Sequence, residues 1–119
     1  MKDFRDLKVW DKAHKLALNI FITSKAFPKE EQFGITSQIR RAALSIPTNI
    51  AEGCGRGSDS DFARFIQIAL GSASEVEYLI LFCKELSFIN ENSYLEFSKN
   101  IVEIKKSLTA LLKKLRADR

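Results

Sequence analysis

Apolar side chains recur every three or four positions along nearly the whole chain, and no stretch alternates apolar and polar residues with a period of two. That spacing keeps one face of a helix apolar, so the chain reads as all-α. Four helical segments separate. The first spans about 6–26, with Leu7, Trp10, His14, Ala17, Leu18 and Phe21 on one face and Val9, Ala13, Leu16 and Ile20 forming a second apolar stripe. One core does not need both stripes, so another subunit is expected to cover the second. Phe27 and Pro28 end this helix, because the residue before a proline is pushed out of helical geometry.

The second segment covers about 34–52, with Thr36 or Ser37 near its start and Ile35, Ile39, Ala42, Ala43, Ile46 and Ile50 on a single face. Pro47 falls inside it, where it removes a backbone hydrogen bond and predicts a kink. Gly53, Gly55 and Gly57 are expected to stop the helix. The third segment starts at the SDSD stretch, where Ser58 or Ser60 can cap and Asp59 and Asp61 suit the positive end of the helix dipole. Phe62, Phe65, Ile66, Ala69, Ala73, Val76, Ile80 and Cys83 make its main face, and small residues around Gly71 predict close approach of a neighbour. From Tyr78 to Cys83 the helix is apolar all round, which places it centrally or at a subunit interface. The fourth begins near Asn92 or Ser93, with Glu96 set for a capping box, and presents Tyr94, Phe97, Ile101, Ile104, Leu108, Leu112 and Leu115. Short connectors between four such helices predict an antiparallel up-down-up-down four-helix bundle, one domain over residues 1–119.

Composition narrows the function classes. Hydrophobic content of 45% and charged content of 29% are those of a folded globular chain, not of a disordered tail. The longest apolar run, Tyr78 to Cys83, is far short of the roughly 20 residues needed to cross a bilayer. No membrane association is expected, and the start of the chain has no apolar signal core, so a cytoplasmic location is the default. Cys54 and Cys83 are too few for a disulfide framework. With one histidine beside them they cannot assemble a metal site, and no cofactor is implied.

Net charge is +4, but it is unevenly spread. Residues 58–104 sum to −5, whereas Lys105, Lys106, Lys113, Lys114, Arg116 and Arg119 face one acid, Asp118, in the last fifteen residues. Lys99, Lys106 and Lys113 recur every seven residues and form a stripe that can follow a phosphate backbone, although a solvated face has the same look. Arg41 on the outward side of the second helix and Arg56 in the glycine-rich GCGRGS turn are further cations for an anionic partner. That turn follows a helix rather than a strand and lacks the lysine of a phosphate-binding loop, so a simple turn is the stronger reading. Arg40 lies at the core boundary and is expected to pair with Glu75, a carboxylate set among apolar neighbours. His14, the sole histidine, lacks the partners of a general base and reads as a packed residue. No nucleophile set is legible, so the chain is expected not to be an enzyme.

The stretches FRDLKVWDKAHKLALNIF and FPKEEQFGITSQIRRAALSIPTNIAEGCGRGSDSDFARFIQIALGSASEVEYLI resemble the small four-helix-bundle proteins encoded in intervening sequences of bacterial 23S ribosomal RNA genes. The resemblance covers nearly the whole chain and is most specific from Gln38 to Ser58 and from Ala69 to Glu77. More distantly, the chain is similar to the accessory variability protein of diversity-generating retroelements. The resemblance implies a ring-like homopentamer. By analogy with the retroelement relative, it also implies a basic surface that binds RNA or DNA and a reverse transcriptase partner. No catalytic role comes with the shared motif residues Arg40, Arg41, Pro47, Asn49, Glu52, Gly53, Gly55, Arg56 and Gly57.

Overall fold

The computed structural model describes residues 2–117. Four helices carry the fold: α1 (Lys8–Thr23), α2 (Ile35–Cys54), α3 (Asp59–Glu85) and α4 (Glu91–Ala117). Among the described residues there is no strand, and three short 3₁₀ turns, Phe4–Asp6, Ser24–Ala26 and Lys29–Glu31, flank α1 and lead into α2. Each helix packs on its chain neighbours and α1 also meets α4, which closes the four-helix bundle. The molecule measures 46 × 23 × 20 Å, its long axis set by the 27-residue helices α3 and α4, each about 40 Å long at 1.5 Å per residue.

One apolar core runs through the bundle, built from Ile46, Ile50, Ile66, Val76, Ile80, Ile101, Ile104 and Leu108 among others. The core faces expected of α2, α3 and α4 are buried nearly as the spacing predicts. α1 differs. Its buried side chains are Val9, Ala13, Leu16 and Ile20, the stripe expected to need a second subunit, together with Ala17 of the other stripe, while Leu18, Phe21 and Ile22 face solvent. Both stripes are apolar, so periodicity alone could not say which one the bundle would take. α3 is the most apolar helix, long enough by length and composition to cross a membrane, and it spends its Phe62-to-Cys83 face on the core.

The ends of the helices follow local chemistry. Ser58 caps α3 by accepting a hydrogen bond from the Asp61 amide at 3.1 Å, with Asp59 and Asp61 in the first turn. α4 starts earlier than expected, because Asn90 supplies the cap: its Oδ1 accepts from the Ser93 amide at 2.8 Å. α3 stops in a Schellman arrangement, Phe88 N to Cys83 O at 2.8 Å and Ser87 N to Lys84 O at 2.9 Å, which holds Ser87 at φ 63°. Pro47 is buried inside α2 and leaves the Ala43 carbonyl without its helical donor. In the same turn, Thr48 Oγ1 and Asn49 Nδ2 donate to the carbonyls of Leu44 and Ser45, each at 2.8 Å.

α2 and α3 approach closely beside the small residues Ala69, Ser72 and Ala73, where the Ser45 and Ser72 hydroxyls meet at 2.8 Å, and again at Gly53, while Gly71 itself faces open space. A Cβ on Gly53 would lie 2.8 Å from Phe62 Cδ1 and 3.0 Å from Phe65 Cβ, whereas one on Gly71 would meet nothing within 4 Å. Gly53 is therefore a packing residue inside α2, which continues to Cys54.

Candidate nucleic-acid interface

α4 turns its apolar face inward, and this alone fixes where its cations point. Lys99, Lys106 and Lys113 are exposed and follow one line along the helix, about 10 Å apart at seven residues per step. Beside this line an open groove of about 480 Å³ is lined by Glu77 of α3 and by Val102, Lys105, Lys106, Thr109, Ala110 and Lys113 of α4. Its lining combines the apolar Val102 and Ala110 with three lysines and one carboxylate.

The basic residues of this region are not equivalent. Lys105 Nζ lies 2.8 Å from Glu77 Oε1, so its charge is largely spoken for. Arg116 Nη2 donates to Gln67 Oε1 at 3.1 Å and is held along the α3–α4 seam. Lys106, Lys113 and Lys114 are exposed. Asp118 and Arg119 lie outside the described residues. Glu77 and Gln67 escaped the sequence reading, because identifying them requires the register of the two antiparallel helices.

The remaining predicted cations lie elsewhere. Arg41 is exposed on α2, and Arg56 sits in the α2–α3 turn with its guanidinium 4.6 Å from the centre of the Phe65 ring. Arg64 lies at the same 4.6 Å distance, so two cations share one aromatic ring. The phosphate-cradle reading of the GCGRGS turn is weakened, since Ser58 spends its hydroxyl on capping and Asp59 lines the same small cleft as Arg56.

The expected Arg40–Glu75 ion pair does not form. Arg40 turns toward α1, where Nε donates to Ser24 Oγ at 2.7 Å, Nη2 to the Phe21 carbonyl at 3.4 Å, and the guanidinium stands 5.2 Å from the Phe21 ring centre. Glu75 is exposed, and its Oε2 accepts from Gln38 Nε2 at 3.4 Å. Water solvates the carboxylate, which removes the need for a buried partner.

Groups of catalytic type are placed for packing. The His14 ring stacks on Trp10, 4.8 Å between centroids and 7° between planes, on a half-buried part of α1. Burial pushes the Cys83 thiol up to about 11, and burial also raises Cys54, with Lys2 opposing the shift. Neither sulfur is a ready thiolate near neutral pH. Among the described residues, no group of three or more His, Cys, Asp or Glu is arranged to hold a metal ion.

A family model described as 23S rRNA-intervening sequence protein matches residues 5–110. The chain belongs to that family. Among solved structures, a protein of unknown function from the S23 ribosomal protein family of Bacteroides thetaiotaomicron is similar to it, with a TM-score of 0.80 and 29% identity. The match covers 88% of this chain and 95% of that one. Comparison with curated proteins gave no match. Family and fold therefore agree with the resemblance carried by the Gln38-to-Ser58 stretch.

Proposed function

We propose that this member of the 23S rRNA-intervening sequence protein family is a non-enzymatic, homo-oligomeric bundle that binds nucleic acid through the basic face of α4. The observation that carries the reading is the exposed line of Lys99, Lys106 and Lys113 beside a groove lined by three lysines and one carboxylate. Such a line follows a phosphate backbone without reading bases, so affinity should fall steeply with salt and depend little on sequence. No aromatic side chain lines the groove, which argues against base stacking as a source of affinity. The family and the S23 neighbour both carry ribosomal names, which makes RNA the first probe.

Assembly is supported by the apolar side chains that one copy leaves in solvent: Leu18 and Ile22 on α1, Leu44 on α2, and Ile68, Tyr78 and Phe82 on α3. Five copies is the number the family resemblance implies. Light scattering that returns a mass near 13.5 kDa would remove the oligomer from this reading.

Mobility shifts with RNA and DNA over a salt series test the binding. The double variant K106E/K113E should lose about tenfold or more in affinity at low salt, as expected for removing two phosphate contacts and adding two repulsions. Absence of any shift by the unaltered protein at low salt defeats the proposal. The second reading, a scaffold for a protein such as a reverse transcriptase, is favoured by the exposed Tyr78–Phe82 pair, whose ring centroids are 6.1 Å apart. Capture of a reverse transcriptase that survives nuclease treatment, and is lost in Tyr78→Lys, would select it.

A further inference from the structure

We propose that a crevice between the exit of α1 and the first turns of α2 is a binding site for a phosphate-class oxyanion. The crevice, about 270 Å³, is lined by Lys25, Lys29 and Arg40 together with Ser24, Gln32 and Thr36, and by no acid. Three cations converge there without a carboxylate among the lining residues. Glu31 lies against Gly34 nearby but does not line the crevice.

The site is prepared in its interior. Ser24 is buried, and its hydroxyl donates to the Phe21 carbonyl at 3.1 Å while accepting from Arg40 Nε at 2.7 Å. With Nη2 turned to that same carbonyl, the guanidinium is fixed before any ligand arrives. Thr36 is only 5% exposed, and its Oγ1 is the one buried side-chain polar atom among the described residues that lacks a hydrogen-bond partner. A buried hydroxyl without a partner is costly enough that a missing ligand or water is the usual explanation. Thr36 also belongs to the first turn of α2, whose cap Gly34 offers no side chain and whose first intrahelical bond is Gln38 N to Gly34 O at 3.1 Å.

An oxyanion there would lie among three positive charges, with the unpartnered Thr36 hydroxyl in the crevice wall. The volume leaves room for the first atoms of an ester beyond the oxyanion itself. α1 and α2 occupy the side of the bundle opposite the α3–α4 groove, so this site stands independently of the nucleic-acid reading.

The test is a titration of the full-length protein with inorganic phosphate at constant ionic strength, followed by amide NMR, with sodium chloride as control and adenosine 5′-monophosphate and adenosine as further arms. The expected result is a saturable shift confined to the Lys25–Lys29 segment and the first turn of α2. The affinity should fall about tenfold in K25A/K29A and about threefold in Thr36→Val, the sizes expected for two charges and for one neutral hydrogen bond. Tighter binding of the monophosphate than of phosphate, with none by adenosine, identifies an ester as the ligand; equal binding identifies phosphate itself. Thr36→Val is close in shape and removes the orphan hydroxyl, so it should fold at least as stably as the original. Shifts that chloride reproduces, or variants that bind as the unaltered protein does, overturn the proposal.

Discussion

Helix α3 makes two long seams. Along α2 it packs on small residues and, apart from Gln38–Glu75 at its exposed edge, on neutral hydrogen bonds: Gly53 lies under Phe62 and Phe65, Ser45 and Ser72 hydroxyls meet at 2.8 Å, and Asn49 Nδ2 reaches Ser45 Oγ at 3.0 Å. Along α4 it packs on large aliphatic side chains, and the seam is edged by charges, with Lys105–Glu77 at 2.8 Å and Lys84–Glu91 at 3.3 Å. The first seam has its polar groups paired locally and admits little change. The second holds its charges at a half-exposed edge, where they can be exchanged for an external partner at small cost. Proposed binding therefore belongs on the α3–α4 side, and rigidity on the α2–α3 side.

The sharpest way to break this contrast is through volume. Leu108 is fully buried on α4, and Leu108→Ala should lower unfolding stability by about 2–5 kcal/mol in a denaturant titration. A loss well below that range would mean that the α4 seam collapses around the cavity and is softer than its packing implies. Gly53→Ala attacks the other seam. Alanine is the better helix former, yet its Cβ would press on Phe62 and Phe65, so a net loss of about 1–3 kcal/mol is expected. A stabilised variant would show that the close approach of α2 and α3 has slack. Glu77→Gln is the mildest change. Stability should move by less than about 1 kcal/mol, while release of Lys105 should steepen the salt dependence of nucleic-acid binding by about one phosphate contact. An unchanged salt slope would show that Lys105 does not belong to the binding face.

Much of this architecture was legible in the sequence because apolar spacing and capping residues act locally. Ser58 announces α3, and the faces of α2, α3 and α4 follow from their periodicity. Three features were not legible, for distinct physical reasons. On α1 two stripes were equally apolar, and only the packing of α2 and α4 chose the one through Val9 and Ile20. Glu75 has apolar neighbours on several sides of α3, a pattern that predicts burial, yet it projects to solvent beside Gln38. Arg40 finds Ser24 and the Phe21 carbonyl, partners that depend on how α1 ends and how it lies against α2. The lysine line on α4 was visible as a pattern, but the neutralisation of Lys105 was not, because Glu77 lies on another helix.

The order in which the helices pack also bears on how the chain folds. α2 with α3, α3 with α4 and α1 with α2 are consecutive in sequence, and among the helix–helix seams only α1–α4 joins helices that are not consecutive. Loop closure is therefore inexpensive for three of the four seams, and folding on the microsecond-to-millisecond scale of low-contact-order helical proteins is expected. α1, the shortest of the four helices and flanked by 3₁₀ turns, is held on α2 and, non-locally, on α4. It should be the first segment to open, with its amides exchanging hydrogen ahead of those in the middle of α3. Exchange that proceeds at one rate through α1 and α3 would instead make the bundle a single cooperative unit.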